Sequence, residues 1–272
     1  MTLILTWLFP FGICMGSDSA VSYNSYVTEP SGRKRMRILT GGTKTLWIPK
    51  IKAGISYWGE GNMGSATTDV WLSDFIFSHR DQYSNISDFA TLLQDELRKL
   101  VPEIAEPKGS MEYRYGKRGF HLAGFTEHAG KPIPTLYHIH NGQSETNPEI
   151  NPRIINANYD LPPEKVLAHF SKSEFPYLRN GDFFLYATLF DNLHTAFEEF
   201  GGLLEKITGS PFVFPDLSKF SDQLDGCSEF SRFWIRLVRD VYALSNLPES
   251  IGGDILILSI SPTGEAKFSR RP

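Results

Sequence analysis

The opening stretch TLILTWLFPFGICMGSDS, from Thr2 to Ser19, constrains this chain more than any other. Residues 2–9 are leucine, β-branched and aromatic residues. Pro10-Phe11-Gly12 interrupts them, and residues 13–17 run short and apolar up to Asp18. Two such runs joined by turn residues predict a tight β-hairpin, and the lack of polar alternation predicts burial on both faces. A secretion signal is the competing reading, because SDSA ending at Ala20 imitates a cleavage site. It is set aside: no Lys or Arg precedes Arg33, so a charged leading region is missing, and Pro10 with Gly12 suits a turn.

The chain has 272 residues, 41% of them apolar and 13% aromatic, so it can bury a sizeable core and is not of disordered composition. With 27 basic and 31 acidic residues it carries a net charge of −4 and has no general attraction to phosphate backbones, so no nucleic-acid partner is expected. Cys14 and Cys227 are too few for a disulfide framework or a cysteine-based zinc site, and are expected to be reduced thiols in a cytoplasmic protein. No run approaches the roughly 18 apolar residues of a membrane-spanning helix, so no membrane is expected among its partners.

Further along, SGRKRMR (31–37) reads as a basic loop closed by Gly41-Gly42, followed by strands at 43–48 and 52–59. Two helices follow. The first covers about 66–80, with Val70, Trp71, Phe75 and Ile76 on its buried face. The second opens at Ser87 and carries Phe89, Leu92, Leu93, Leu97 and Leu100 at helical spacing. Strands are expected at 119–125 and 135–142 around a Gly/Pro turn at 130–134. Helices are expected at 183–200 and 231–246, and a closing hairpin at 252–268 turns at Pro262-Thr263-Gly264. Residues 25–42, 143–178 and 208–226 read as insertions within one domain spanning 1–272.

Two motifs invite a cofactor reading and do not earn it. Gly59-Glu60-Gly61-Asn62-Met63-Gly64 matches the dinucleotide fingerprint, but a second helix follows the first where a strand is required. His138 and His140 share a strand face, with His121 and His128 upstream, yet no full ligand set accompanies them. Hydrogen-bonded strand histidines are the expectation, with no metal and no cofactor.

Thr2 follows Met1, and a small second residue favours methionine removal. That frees an α-amine of pKa near 7.7–8 beside the threonine's own hydroxyl. With the hairpin and Gly16-Ser17-Asp18-Ser19, this opening resembles the proteasome β-type subunits and the related bacterial proteasome-like proteases. Thr43-Lys44-Thr45-Leu46-Trp47-Ile48 resembles that family's lysine-bearing strand, and Ala53-Gly54-Ile55-Ser56-Tyr57-Trp58-Gly59 its next strand. The helix pair at about 66–100 falls in the family's order. So does the closing Ser250-Ile251-Gly252-Gly253 before an apolar strand.

The resemblance implies an α+β fold, the four-layer αββα sandwich of the N-terminal-nucleophile (Ntn) hydrolases. It implies a threonine peptidase in which Thr2 is the nucleophile, Lys44 the neighbouring cation, and Asp18 the anchor of Lys44. The Gly59 N–H serves the oxyanion, Val21, Leu46 and Tyr57 line an apolar substrate pocket, and Ser250 assists. It further implies a homo-oligomer acting on peptides or unfolded proteins, with an ATPase unfoldase as partner. The sequence departs from the family at Pro248 and Ile251, where it has an aspartate and a serine, and at Asn180-Gly181-Asp182, where it has another serine. Those departures keep two alternatives in view: an inactive scaffold like the family's α-type subunits, and a small-molecule amidase of the same class.

Overall fold

The computed structural model describes residues 3–28, 34–59, 61–104, 118–141, 156–181, 185–212, 216, 219–220, 222–244 and 251–272. For residues 21–40, 101–104, 156, 185–191, 193–194 and 197–198 the description is of the backbone.

The opening hairpin forms as the sequence predicts. Strands β1 (Ile4–Phe9) and β2 (Gly12–Asp18) pair antiparallel from Phe9↔Gly12 to Ile4↔Ser17, and every residue of both is buried. A second hairpin, β3 (Ala20–Thr28) and β4 (Lys34–Thr40), follows. The basic stretch expected as a loop is therefore strand from Lys34 onward, because the uncharged, tyrosine-containing β3 supplies a pairing partner that composition alone does not reveal. Next come β5 (Thr45–Ile48), a single 3-10 turn at Pro49–Ile51, and β6 (Ala53–Gly59). The short pair β7 (Asn62–Met63) and β8 (Ala66–Thr67) leads into α1 (Thr68–Ser78) and α2 (Ile86–Ile104).

Strands β9 (Arg118–His128) and β10 (Lys131–His140) turn at Ala129-Gly130, so the expected turn residues 131–134 lie in β10. Within the expected excursion 143–178 lie β11 (Asn156–Leu161), α3 (Pro163–Phe170) and the start of β12 (Tyr177–Asn180). Helix α4 (Leu185–Thr208), helix α5 (Gln223–Leu244), β13 (Ile255–Ile260) and β14 (Ala266–Arg271) complete the chain.

The strands build two five-stranded antiparallel sheets. One has the order β12-β1-β2-β13-β14, the other β11-β10-β9-β6-β5. Period-two alternation then sorts side chains between layers. In β1, Leu3 (just before the strand), Leu5, Trp7 and Phe9 turn toward α5, joining Trp234, Ile235 and Val238; Leu8 turns toward the other sheet, with Ile13 and Met15 of β2. On the outer face of the second sheet, Ile55, Tyr57, Phe120 and Leu122 pack against Leu72 and Phe75 of α1 and Phe89 and Leu93 of α2. The layers therefore run helices, sheet, sheet, helix. Gly54 allows the sheets to close, since a Cβ there would sit 2.4 Å from Met15 Sδ.

Some local expectations shift. Leu72 replaces Val70 on the buried face of α1, Val70 being half exposed, while Trp71 and Ile76 are partly buried. The cap of α2 is Asn85, whose Oδ1 accepts the Asp88 N–H at 2.9 Å, one residue ahead of a helix that begins at Ile86. Both edge strands drawn from the 143–178 excursion, β11 and β12, owe their place to sheet pairing that leaves little periodicity in the sequence.

Candidate active site

β1 begins and β2 ends at the same edge of the hairpin, so Asp18 is brought back beside the start of the chain. Its carboxylate is buried and bound on all sides. Oδ1 accepts the Leu3 N–H at 2.9 Å and the Lys44 Nζ at 2.9 Å. Oδ2 accepts the Ala20 N–H at 3.2 Å and the Gly252 N–H at 3.3 Å. Asp18 in turn gives its own N–H to Leu3 O. One side chain thus ties together the first strand, the β3 hairpin, the lysine of the second sheet and the closing glycines.

Lys44 lies just before β5 and reaches across the inter-sheet gap. Both members of the pair are 1% exposed. The ammonium also donates to the Ala20 carbonyl, and the Lys44 carbonyl accepts the Tyr57 N–H at 3.0 Å, fixing β5 against β6. Burial pushes the Lys44 ammonium below the ordinary lysine range, and the adjacent Asp18 charge opposes that shift. An ion pair so deeply desolvated persists only with its lone pairs filled, as the four donors on Asp18 fill them.

Two polar groups extend this site between the sheets. The Thr45 hydroxyl donates to Ser17 Oγ at 3.1 Å and meets Ser56 Oγ at 2.9 Å. Farther along the same face, His121 Nε2–H donates to Asn180 Oδ1 at 2.6 Å, so Nδ1 accepts from the Thr6 hydroxyl at 3.0 Å. That arrangement requires a neutral ring, and burial, reinforced by His138, holds the His121 pKa well below its ordinary value. His138 stacks on His140 at 4.1 Å, with Asp160 3.6 Å from its Nδ1, and Asn158 Nδ2 donates to His140 Nε2. Of the strand histidines expected to be hydrogen-bonded, His121 and His140 are, while His138 Nε2 is buried with no hydrogen-bond partner among the described residues. Among the described residues no group of three or more His, Cys, Asp or Glu side chains is arranged to hold a metal. The detectable signal was one polar residue per strand at matched register: Thr45, Ser56, His121 and His138.

The other expected site residues fall as follows. Gly59 ends β6 at an exposed position with φ 90°, a conformation glycine adopts without strain. Of the glycines after it, Gly64 turns β7 into β8 at φ 62° and Gly61 O accepts the Thr68 N–H, and the element directly after α1 is α2 and not a strand. Tyr57 and the half-buried Leu46 face the α1–α2 side of the second sheet. The backbone of Val21 belongs to β3. Thr2, Ser250, Pro248 and the Val21 side chain lie outside the described residues. Ile251 buries its side chain in the core beneath α5, so this position brings no hydroxyl, while Gly252 reaches Asp18 through its backbone. Asn180 bonds His121.

Two facing antiparallel sheets between helical layers define an α+β fold of the Ntn-hydrolase type, in its proteasome-like form. Solved Anbu structures share it. An Anbu (Gly-1) mutant from Hyphomicrobium sp. strain MC1 aligns over 99% of this chain and 87% of its own, with a TM-score of 0.52 at 13% identity. The helical assembly of the Anbu complex from Pseudomonas aeruginosa aligns over 99% and 86%, with a TM-score of 0.52 at 14% identity. At such identities the likeness is one of fold. No family model matches the sequence, and no curated protein sequence does. Among the described residues no helix is long and apolar enough to cross a membrane.

Proposed function

We propose that this chain is a proteasome-like threonine peptidase that acts through Thr2 once Met1 has been removed. The observation that carries the reading is the buried Lys44–Asp18 pair bonded to the N–H of Leu3, the residue to which Thr2 is covalently joined. Among the described residues, Lys44 has two acceptors for its three ammonium protons, which leaves one for a group at the start of the chain.

In the proposed cycle, Thr2 Oγ1 attacks the peptide carbonyl carbon while the Thr2 α-amine, directly or through water, takes the hydroxyl proton. The Lys44 cation lowers the cost of negative charge on the attacking oxygen, and the Gly59 N–H donates to the carbonyl oxygen as it becomes an oxyanion. The C–N bond breaks as the leaving amine takes the proton, and Thr2 holds the acyl group as an ester. Water then attacks that ester, its proton passes to the α-amine, and Thr2 leaves with its hydroxyl restored. Val21, Leu46 and Tyr57 form the apolar side-chain pocket, and Ser250 assists proton transfer. The chain works as a cytoplasmic homo-oligomer on peptides or unfolded proteins, the latter fed by an ATPase unfoldase. The helical Anbu assembly supports self-association.

The second reading is an inactive scaffold of the same fold, favoured by Ile251, which brings no hydroxyl beside the closing glycines. Intact-mass analysis after incubation with a threonine-directed covalent inhibitor separates the two. A protein lacking Met1 and carrying one adduct on Thr2 supports the peptidase. Retained Met1 with no adduct leaves the scaffold.

A further inference from the structure

The hairpin formed by β3 and β4 separates Asp18 from Lys44 in sequence, yet its base is built into their contact. Ser19 O accepts the N–H groups of Gly41 and Gly42 at 3.3 and 3.1 Å, and Lys44 Nζ donates to Ala20 O. Among the described residues the hairpin is a two-stranded sheet of its own, so both outer edges carry backbone groups outside any ladder. Its charge is one-sided. Residues 20–40 hold Arg33, Lys34, Arg35 and Arg37 against Glu29 alone, while the rest of the chain has 23 basic and 30 acidic residues.

The register gives Lys34, Arg35 and Arg37 an order, Arg33 lying outside the described residues. Thr40 pairs with Ala20 at the base, Arg37 with Tyr23, Arg35 with Val27 and Lys34 with Thr28. At roughly 3.3 Å per residue, they stand about 10 to 20 Å along the hairpin from the Asp18–Lys44 contact. The pairing shifts register between Tyr23 and Tyr26, so Arg37 stands on the base side of that irregularity and Arg35 and Lys34 stand beyond it. An extended peptide advances by the same amount per residue, so its side chains about three to six positions from the reacting bond come level with this ladder.

We propose that the β3–β4 hairpin is a docking arm for acidic stretches of the peptide substrate, set beside the reacting bond by its anchorage to Ser19 and Ala20. This rests on the peptidase reading for the name of the occupant. Charge complementarity selects the chemistry: four cations within five residues attract a run of Glu and Asp, and the free hairpin edges accept its main chain.

The test uses the full-length chain carrying Thr2→Ala, so that binding is read without turnover. Fluorescein-labelled dodecapeptides with four glutamates, or four glutamines, around the same apolar centre are titrated by anisotropy. The glutamate peptide is expected to bind about tenfold tighter at low ionic strength, and the margin shrinks with added salt. In Arg35→Gln/Arg37→Gln the margin falls below about twofold, and in Arg35→Glu/Arg37→Glu it reverses. Circular dichroism confirms that both variants are folded, and the single substitution Arg35→Gln provides a milder change if either is not.

Equal binding of the two peptides overturns the proposal, as does a preference that survives the substitutions. Tighter binding of a single-stranded oligonucleotide of equal charge overturns it too. So does a change in sedimentation without a change in peptide affinity, which makes the hairpin a contact between copies. Wild-type protein that takes no label on Thr2 yet retains the glutamate preference removes the peptidase reading and leaves the docking arm standing.

Discussion

The space between the two sheets is filled in two different ways. Toward the β1–β2 turn it holds hydrocarbon: Leu8, Ile13 and Met15 meet Ala123, Leu136, Leu258 and Ile260. Toward the start of β1 it holds Ser17, Thr45, Ser56, Thr6, His121 and Asn180, ending in the Asp18–Lys44 pair. The same strands cross both ends. The apolar end gains free energy from burial alone and tolerates no chemistry. The polar end recovers its desolvation cost only through hydrogen bonding, and so holds groups in one arrangement. Stability and a candidate reactive centre are thus divided along the length of each strand.

The largest expected effect is at the polar end. Lys44→Met leaves the Asp18 carboxylate buried without its cation, which costs about 3–5 kcal/mol. Denaturant unfolding measures that loss, and peptide turnover is expected to vanish with it. A variant of wild-type stability and wild-type rate breaks the contrast between the two ends and with it the catalytic assignment.

Next, Leu258→Ala at the apolar end opens a cavity and costs about 3 kcal/mol. It is expected to leave inhibitor labelling of Thr2 at the wild-type rate under conditions where the variant is folded. Slower labelling would mean that the two ends are mechanically coupled.

The smallest effect separates the ends by pH. The His121 pKa is depressed in the folded protein and ordinary, near 6.5, in the unfolded chain. Below that value the unfolded chain takes a proton that the folded one refuses. The contribution is therefore whole above pH 6.5 and declines by about 1.4 kcal/mol per pH unit beneath it, until the folded pKa is reached. Urea midpoints at pH 7, 6 and 5 for wild type and His121→Gln measure it: the variant should lose less on acidification. Parallel curves would assign the acid sensitivity to other groups.

The Asp18–Lys44 pairing came only with the family resemblance, whereas the opening hairpin, the helix pair and the closing hairpin were legible in the residues. Each rests on local periodicity or on a motif whose members keep their order along the chain. The strands β11 and β12 were not, since edge strands take their conformation from a neighbour's hydrogen bonds and need little pattern of their own. The second hairpin was obscured by its charges, which read as loop until a partner strand is known. Within the site, the bond from Gly252 to Asp18 runs through a backbone N–H, and main-chain donors leave no mark in a sequence of side chains.

What the chain determines by itself is which segments can be strand or helix, and which face of each is apolar, because these follow from neighbours a few residues apart. Only the tertiary structure decides that Thr6 meets His121, that Ser17 meets Thr45, and that three distant donors, from Leu3, Lys44 and Gly252, join the neighbouring Ala20 N–H on one carboxylate. Those contacts depend on the register and stacking of two sheets, which are settled by the packing of the whole molecule.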